Sequence, residues 1–544
     1  MEKKDLINLI FKDVKDYKVY EDKYKERDLK EGALVTRFAP SPTGFVHMGS
    51  LFSAFVANKA AHDTDGIFFL RIEDTDQKRE VDNGIINIIR DLNNFGIKID
   101  EGVTGADTET GNYGPYIQSK RKEIYESYVA KLIEEDLAYP CFLSESEIND
   151  IREEQEKNKE EIGIYGKYAK YRDLSLDEQI NKIKNNEKYV IRLKSPGNIN
   201  NKVKIKDLIK GELEFPENNL DVVLIKSDGL PTYHFAHAID DHLMHTTLVL
   251  RGDEWLSSLP IHIQLFQVLK FKLPKYAHIS PIMIMDGDSK RKLSKRKDKE
   301  AAISYYHELG IDKEAIKLYL LTIANSNFEE WYLANPRESI DKFKFSFKKV
   351  STSGSLFDMD KLLNISKNYL SYLDKDSFYK GLLKYTEEYD KELYDLLVKY
   401  KNESIDFINI EREKKKPRKD YSSYSEVRDN IWYIYKELFN KDNIKYEIDI
   451  KDKKDILIDY INNYYDELDT EEEWFNKIKS LASVYNYATD MKDFKLNENK
   501  YNGSIADLSN IIRVSITTKT TTPNLYNIMK IIGKNESIKR INMI

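Results

Sequence analysis

The chain has 544 residues, which is enough for several domains rather than a single core. Its formal net charge is −7 and its pI is about 5.9, so a basic patch would be a local feature and general binding to nucleic acid is disfavoured. The single cysteine, Cys141, excludes an internal disulfide and favours a reducing compartment. The sequence contains no apolar run of about 18 residues, and its N-terminus is too charged for a signal peptide. We therefore expect a cytoplasmic protein without a membrane partner.

The first part of the chain predicts an α/β domain. Residues 1–30 are charged and amphipathic, which predicts a helical N-terminal extension. ALVTRFAP (33–40) and IFFLRI (67–72) are short apolar runs that predict buried strands, and SLFSAFVANKAAHD (50–63) between them has helical spacing. A strand, a helix and a strand in this order form a βαβ unit and predict a parallel sheet.

The remainder predicts an insertion followed by helices. Residues from about 113 to 225 are more polar, and LVLRGDEWL (248–256) then returns to a strand pattern, so we expect the sheet to resume there. Beyond about residue 300 the pattern is mostly helical. REKKKPRKD (412–420) is a basic run in which Pro417 predicts a loop. A solvated linker and an RNA contact are equally good interpretations of that run.

The stretch RFAPSPTGFVHMGS (37–50) falls at the first strand-to-helix crossover. Pro40 and Pro42 stiffen the turn, while Gly44 and Gly49 allow the backbone to approach a ligand closely. A helix that begins near Gly49 would direct free N–H groups towards an anion, with His47 in position to donate to a phosphate. Alone, H-x-G is a weak signal, because a single histidine is more often structural.

Other stretches also concentrate polar residues. MDGDSKRKLSKRKDK (285–299) contains seven basic residues, which alone would indicate a solvated loop. RIEDTDQKR (71–79) has three acids, which fit a solvated turn or a metal cluster. GLPTYHFAHAIDDHLMHTTLVLRGDEWLSSLP (229–260) includes four histidines, but their spacing and the lack of cysteine fit a zinc site poorly.

Two of these stretches together resemble a known family. R-F-A-P-S-P-T-G-x-x-H-x-G resembles the HIGH signature of class I aminoacyl-tRNA synthetases in its glutamyl form, with Ser50 at the last position, and KLSKR (292–296) resembles the KMSKS loop of the same class. RVSITTKTTTPNLYNIMKIIG (513–533) resembles the terminal helices of bacterial glutamyl enzymes. On these motifs the sequence is identified as a member of the bacterial glutamyl-tRNA synthetase family.

This resemblance implies an α/β protein with several domains. It implies a Rossmann-type parallel-sheet catalytic domain, an inserted α+β acceptor-stem-binding domain, a KMSKS-loop and stem-contact domain, and an all-helical C-terminal anticodon-binding region. The charged N-terminal extension is expected at 1–30 and the catalytic domain at 31–112 with 226–290. The acceptor-stem-binding domain is expected at 113–225, the KMSKS-loop and stem-contact domain at 291–372, and the anticodon-binding region at 373–544.

The implied reaction is the ATP-dependent ligation of L-glutamate to tRNA(Glu) through a glutamyl-adenylate, by a monomer. Members of the family commonly need tRNA before they activate glutamate. Magnesium would arrive with ATP rather than occupy a protein site. No zinc is expected, because Cys141 stands alone where some relatives have a cysteine-rich zinc knuckle, and a buried apolar role is expected for it.

Four alternatives are considered. A non-discriminating enzyme would also charge tRNA(Gln) with glutamate, and this remains open. A glutaminyl enzyme is disfavoured by the C-terminal helices. A short tRNA-modifying relative would lack the C-terminal half, and a non-enzymatic RNA-binding paralogue would not need the complete motifs.

The resemblance assigns roles to individual residues, and none of them is a metal ligand. Lysines on a mobile loop can meet the charge of departing pyrophosphate best in the transition state. Two guanidinium groups can bind the second carboxylate of glutamate bidentately. The implied catalytic residues are His47, Lys292 and Lys295; ATP would contact these three and Gly49, Ser50, Glu254, Trp255 and Ser294; glutamate would contact Arg37, Ala39, Ser41, Glu73, Tyr233, His237 and Arg251.

Overall fold

The computed structural model describes residues 2–44, 46–76, 81–294, 296–440 and 444–544. The chain forms two compact units. The first comprises Met1–Ile303 and Leu320–Asp358, and the second Ser304–Tyr319 and Met359–Ile544. Among the described residues, no helix combines the length and the apolar character that crossing a membrane requires.

All of the named strands lie in the first unit. They are β1 Val35–Phe38, β2 Ile67–Leu70, β3 Glu101–Val103, β4 Glu109–Thr110, β5 Ala138–Cys141, β6 Val190–Leu193, β7 Lys202–Asp207, β8 Gly211–Pro216, β9 Val223–Ile225, β10 Leu248–Gly252, β11 Lys275–Ile279, β12 Ile282–Asp286, β13 Ser289–Lys292 and β14 Ser355–Leu356.

The helices are numbered along the whole chain. They are α1 Lys3–Ile10, α2 Lys18–Lys23, α3 Met48–His62, α4 Gly84–Asn94, α5 Lys122–Glu134, α6 Glu145–Asn158, α7 Leu176–Lys184, α8 Tyr233–Leu243, α9 Leu259–Leu269, α10 Ile303–Glu308, α11 Lys313–Ala324, α12 Phe328–Ala334, α13 Met359–Tyr372, α14 Lys375–Tyr389, α15 Lys391–Lys399, α16 Lys401–Asn409, α17 Arg428–Ile431, α18 Lys454–Asp459, α19 Glu471–Val484, α20 Met491–Leu496, α21 Ile505–Thr517, α22 Leu525–Ile532 and α23 Lys534–Met543.

Among the described residues, the strands of the first unit form four sheets, and the sheet of order β1-β2-β3-β4 is parallel from β1 to β3. β1 pairs with β2 in parallel, from Val35 opposite Ile67 to Phe38 opposite Leu70, and β2 pairs with β3 in the same direction. Helix α3 connects β1 to β2 and is buried along most of its length, which explains why its sequence is apolar on almost every side. The predicted βαβ unit and α/β class are confirmed.

A second four-stranded sheet, of order β10-β11-β7-β8, begins beside the first, which confirms the strand predicted from residue 248. Thr247 N donates to Val35 O at 3.0 Å, and Val35 N donates to Thr247 Oγ1 at 2.8 Å, so β10 begins beside β1. β10 then pairs in parallel with β11. The hairpin β7–β8, which the sequence assigns to the insertion, joins the free edge of β11 at Asp207 opposite Tyr276.

The N-terminal residues are folded into the first unit. Leu6, Ile7 and Phe11 are buried, and Tyr24 donates to Gly114 O at 2.7 Å. Cys141 is a free and buried residue on β5, as expected.

The second unit contains only helices among its named elements, which confirms the helical C-terminal half. The basic run at 412–420 is a loop, as Pro417 predicts, but its first residue is not solvated. Arg412 is buried, lies 4.4 Å from the centre of the Phe378 ring, and donates to Leu370 O at 2.6 Å and to Leu373 O at 3.0 Å. The solvated-linker interpretation therefore fails for Arg412, while Lys415 and Lys416 are exposed.

Gly102 provides a test of the strand packing. Its φ is +117°, and an added Cβ would collide with the carbonyl oxygen of Leu70 on the neighbouring strand. We expect Gly102→Ala to destabilise the protein by about 3 kcal/mol or more, because strain at positive φ and overpacking each cost about 1–3 kcal/mol. Gly32→Ala is the matched control, since Gly32 has φ +85° but open space around it. Equal losses of thermal stability in the two variants would contradict the packing argument.

Candidate active site

A cleft of about 870 Å³ lies where β1, β2, β10 and β11 end. The carboxyl ends of parallel strands meet at one edge of a sheet, so the segments that follow these strands converge there. Of the residues implied by the resemblance, the cleft is lined by Arg37, Ala39, Ser41, His47, Gly49, Ser50, Glu73, Tyr233, Arg251, Glu254, Trp255, Lys292 and Ser294. Lys295 lies outside the described residues, and His237 is not among the lining residues.

His47 caps the N-terminus of α3. Its Nδ1 accepts from Ser50 N at 3.2 Å, and its Nε2 lies 2.9 Å from Ser50 Oγ. Because Nδ1 accepts a backbone N–H, a neutral ring carries its proton on Nε2. A Cβ on Gly49 would stand 3.1 Å from the His47 ring, so a glycine at this position leaves room for that orientation.

One buried carboxylate, Asp241 on α8, holds two arginines of the sheet. Arg71 Nη1 donates to Asp241 Oδ1 at 2.7 Å, and Arg37 Nε donates to the same oxygen at 3.3 Å. Burial opposes ionisation of Asp241, but Arg37 and Arg71 hold the pKa of this carboxyl well below its usual range. The carboxylate therefore stays charged, and Arg37 is oriented through Nε while its two Nη atoms form no bond to any described residue.

Glu73 is the second buried acid of the cleft. Arg71 Nη2 donates to Glu73 Oε1 at 3.0 Å. Burial raises the pKa of the Glu73 carboxyl, outweighing the opposite effects of Arg71 and Arg37. A cationic ligand group beside Glu73 would favour its charged form, so the site is suited to an ammonium group.

Arg251 is buried but has a different kind of support. Its Nε donates to His278 Nε2 at 3.0 Å, its Nη1 to His262 Nδ1 at 2.9 Å, and its Nη2 to Trp255 O at 3.5 Å. Within the described parts of the chain no carboxylate forms an ion pair with it. The cleft thus contains a guanidinium whose charge is not neutralised by direct contact.

Aromatic rings form one wall of the cleft. Tyr233 and Trp255 have ring centres 4.5 Å apart, and His237 stacks against Tyr233 at 5.8 Å. His237 is completely buried, and its Nδ1 lies 2.8 Å from Asp241 Oδ2. It therefore supports Tyr233 in this structure, and a direct contact with a ligand stays a prediction.

The four histidines of the 229–260 stretch do not converge. Each has a ring nitrogen beside a different group. His234 lies beside His262, His237 beside Asp241, His242 beside Glu21, and His245 beside the carbonyl of Tyr24. Across the described residues, no group of three or more His, Cys, Asp or Glu side chains has the arrangement that a metal ion needs.

The basic stretch at 285–299 begins as a hairpin. Gly287, with φ +60°, forms the turn between β12 and β13. Arg291 donates to Asp298 through two nitrogens at 2.6 and 2.7 Å, and this contact lowers the pKa of Asp298 to about 2. Lys292 Nζ lies 3.5 Å from Glu254 Oε1 at the rim of the cleft.

Several residues that build the site were not predicted from the sequence. Asp241, His262 and His278 contact the cleft arginines, Arg71 donates to Asp241 and Glu73, and Asp207 contacts His278 from β7. The available signal was weak: His262 and His278 are polar residues inside apolar runs, LPIHIQLF and KYAHISPI. Such histidines are usually structural, and their partners are distant in sequence.

Comparison with known proteins relates the fold to the motifs. A family model described as tRNA synthetases class I (E and Q), catalytic domain, matches residues 33–364, and one described as anticodon binding domain matches residues 418–544. A glutamate–tRNA ligase of Clostridium perfringens is 48% identical, over 99% of this chain and 100% of the relative. One of Acetivibrio thermocellus is 45% identical over 99% of both chains.

A solved structure agrees with these matches. The crystal structure of a glutamate tRNA ligase from Elizabethkingia meningosepticum, in complex with its amino acid, has a TM-score of 0.73 at 25% identity, over 94% of this chain and 98% of that one.

The buried histidines predict how stability depends on pH. Burial lowers the pKa of His234 and of His237 to about 4, whereas an unfolded histidine has a pKa of about 6.5. The unfolded chain therefore binds more protons between these values, and stability falls as the pH drops from about 6.5 towards 4. Charged or titratable groups near His237 are Asp241, Arg251, Arg37, His262 and Tyr233.

We expect His237→Asn to be less stable than the original chain at pH 8, and the gap in melting temperature to narrow as the pH falls. Thermal unfolding at a series of pH values measures this. A gap that stays constant from pH 8 to pH 4.5 would show that His237 does not titrate as described.

Proposed function

Because the chain belongs to the class I tRNA synthetase family, in its glutamate–tRNA ligase branch, we propose how the cleft at the strand ends charges tRNA(Glu). The enzyme ligates L-glutamate to tRNA(Glu) at the expense of ATP, through a glutamyl-adenylate. One observation supports this proposal above all: two buried arginines, Arg37 and Arg251, line the same cleft as Glu73 and His47.

The glutamate side chain is proposed to bind between the two arginines. Arg37 has both Nη atoms unbonded among the described residues, and Arg251 has no carboxylate partner there, so each can donate to a carboxylate. Glu73 is proposed to pair with the α-amino group, with Ala39, Ser41 and Tyr233 shaping the pocket. Glutamine would leave these donors facing a neutral amide, and sites that read polar groups can discriminate by about 10⁴.

ATP is proposed to lie over the N-terminus of α3. The backbone near Gly49 would supply donors for phosphate oxygens, His47 Nε2 would exchange its contact with Ser50 Oγ for a phosphate oxygen, and Trp255 with Glu254 would supply the adenosine side. Magnesium is proposed to enter bound to the phosphates, because it keeps most of its waters and needs few protein ligands. Zinc has no role in this proposal, since Cys141 alone provides a single buried thiol.

The chemistry needs no covalent enzyme intermediate. A glutamate α-carboxylate oxygen attacks the α-phosphorus of ATP, and pyrophosphate leaves with the charge of the broken bond. The 2′-OH of the terminal tRNA ribose then attacks the carbonyl carbon of the mixed anhydride, and AMP leaves. Lys292, with Lys295, is proposed to meet the charge that develops on pyrophosphate, which is where an added interaction accelerates the reaction.

The remaining segments are proposed to bind tRNA. Residues 113–225 would contact the acceptor stem, 291–372 would carry the charged loop and contact the stem, and 373–544 would read the anticodon. We also propose that the enzyme is a cytoplasmic monomer; its single cysteine, which is free and buried, favours a reducing compartment. The alternative function is charging of tRNA(Gln) as well as tRNA(Glu) with glutamate.

The function is tested by glutamate-dependent ATP–pyrophosphate exchange with and without tRNA, and by charging of purified tRNA(Glu) and tRNA(Gln). We expect exchange only when glutamate and tRNA(Glu) are both present, and charging of tRNA(Glu). Charging of both tRNAs would establish the non-discriminating alternative. Exchange with glutamine in place of glutamate, or no exchange under any condition, would refute the proposal.

Lys292 provides a test of the transition-state role. Lys292→Ala should lower kcat of pyrophosphate exchange by about 10²-fold, the size typical for losing one charge-stabilising donor, with a much smaller change in the KM for ATP. Lys290→Ala is the matched control, since Lys290 lies two residues earlier on β13 and outside the cleft lining described above. If the two substitutions lowered kcat similarly, the effect would come from the reduced positive charge of the hairpin and not from the position of Lys292.

A further inference from the structure

We propose that His262 and His278 are positioning residues which hold Arg251 through neutral imidazole acceptors, so that its guanidinium keeps an uncompensated charge for the side-chain carboxylate of glutamate. The inference rests on the proposed glutamate site and adds what supports one of its arginines. Arg37 and Arg251 line the same cleft, yet the first is anchored by a carboxylate and the second by two histidines.

The contacts of Arg251 fix its direction. Nε–H donates to His278 at 3.0 Å, one Nη1–H donates to His262 at 2.9 Å, and Nη2 lies 3.5 Å from the Trp255 carbonyl oxygen. Since a guanidinium only donates, both histidine nitrogens must be acceptors here. These contacts use one N–H on each nitrogen, so Nη1 and Nη2 each keep a second N–H, and the Tyr233 hydroxyl is a further hydrogen-bond neighbour of Arg251 in the cleft.

Each histidine is held in the accepting form by a second bond. His278 Nδ1 lies 2.7 Å from Asp207 Oδ2, so this nitrogen carries the proton and Nε2 accepts from Arg251. Asp207 itself is fixed by backbone donors, including Ile209 N at 2.9 Å and Lys210 N at 2.8 Å. The hairpin β7–β8 thereby reaches the cleft through His278, although it contributes no lining residue among those described.

His262 has the same arrangement with a different partner. Its Nε2 lies 2.8 Å from His234 Nδ1, so Nε2–H donates to His234 and Nδ1 accepts from Arg251. Burial, together with the charge of Arg251, lowers the pKa of His262 well below its usual value, and burial lowers the pKa of His278. Both rings stay neutral at physiological pH.

Neutral acceptors suit a substrate-binding cation for an electrostatic reason. A carboxylate in direct contact would orient Arg251 equally well, but it would also neutralise the charge that glutamate must meet. An arginine left without a counter-ion in a buried site is costly, and a bound carboxylate relieves that cost while a neutral amide does not. Before glutamate binds, the face of Tyr276 partly compensates the charge of Arg251, because its ring centre lies 5.3 Å from the Arg251 Cζ.

Substitution of His262 separates charge from hydrogen bonding. Asn and Asp both place an oxygen near the position of Nδ1, have nearly the same shape, and differ in charge. We expect His262→Asp to have a KM for glutamate at least about 10-fold above that of His262→Asn, which corresponds to about 1.4 kcal/mol. The KM for ATP and kcat should differ by less than threefold between the two variants. Discrimination against glutamine should be weaker in the Asp variant.

The readout is pyrophosphate exchange with saturating tRNA(Glu), on the full chain. Equal glutamate KM values for the Asn and Asp variants, in an otherwise active enzyme, would overturn the inference, because a purely structural role does not distinguish them. Absence of glutamate-dependent exchange in the original chain would instead refute the proposed function. The two failures are therefore distinguishable.

A second pair decides the question where His262→Asp does not fold. His278→Gln keeps an oxygen acceptor near the position of Nε2, whereas His278→Leu removes it. We expect the Leu variant to have a KM for glutamate at least about 10-fold above that of the Gln variant, with similar KM values for ATP. Equal glutamate KM values in these two variants would also overturn the inference.

Discussion

The catalytic half of this enzyme depends on one buried ion cluster centred on Asp241. This carboxylate, which is completely buried, binds Arg71 after β2 and Arg37 on β1 from a helix about 170 to 200 residues further along the chain. A buried arginine without its counter-ion is costly by several kcal/mol, so the three segments are held together as a unit. The cleft exists at this edge of the sheet because those segments meet there.

The two cleft arginines show how the same side chain is used in two ways. Arg37 shares a carboxylate with Arg71, so part of its charge maintains the fold. Arg251 is held by imidazoles, so its charge is uncompensated at contact distance and its orientation is still fixed. A site that must favour a carboxylate over an amide needs both a rigid donor geometry and an unsatisfied charge. In the proposed glutamate site Arg251 would meet both requirements, while Arg37 would tie the same site to the fold.

The features that could be predicted from the sequence are those with a local signature. β1, α3 and β2 follow from apolar runs and a proline-rich turn, and the predicted cleft-lining residues come from four stretches, 37–50, 71–79, 229–260 and 285–299. Asp207, His262 and His278 could not be predicted, because each acts through a partner that only the fold brings near, such as Asp207 with His278. The burial of Arg412 could not be predicted for the same reason, since two of its acceptors lie at a helix end 39 to 42 residues earlier.

The basic residues at 285–299 differ in how far their charges are neutralised by neighbouring acids. Arg291 is neutralised within the loop by Asp286 and Asp298, and so stabilises the hairpin instead of facing the cleft. Lys292 instead meets Glu254 at 3.5 Å across the rim, a distance and an exposure at which an ion pair is weak. A triphosphate, with several charges, is a stronger partner than one exposed carboxylate. In the proposed function, this pair would keep the lysine near the cleft and release it to a more highly charged ligand, which a buried salt bridge could not do.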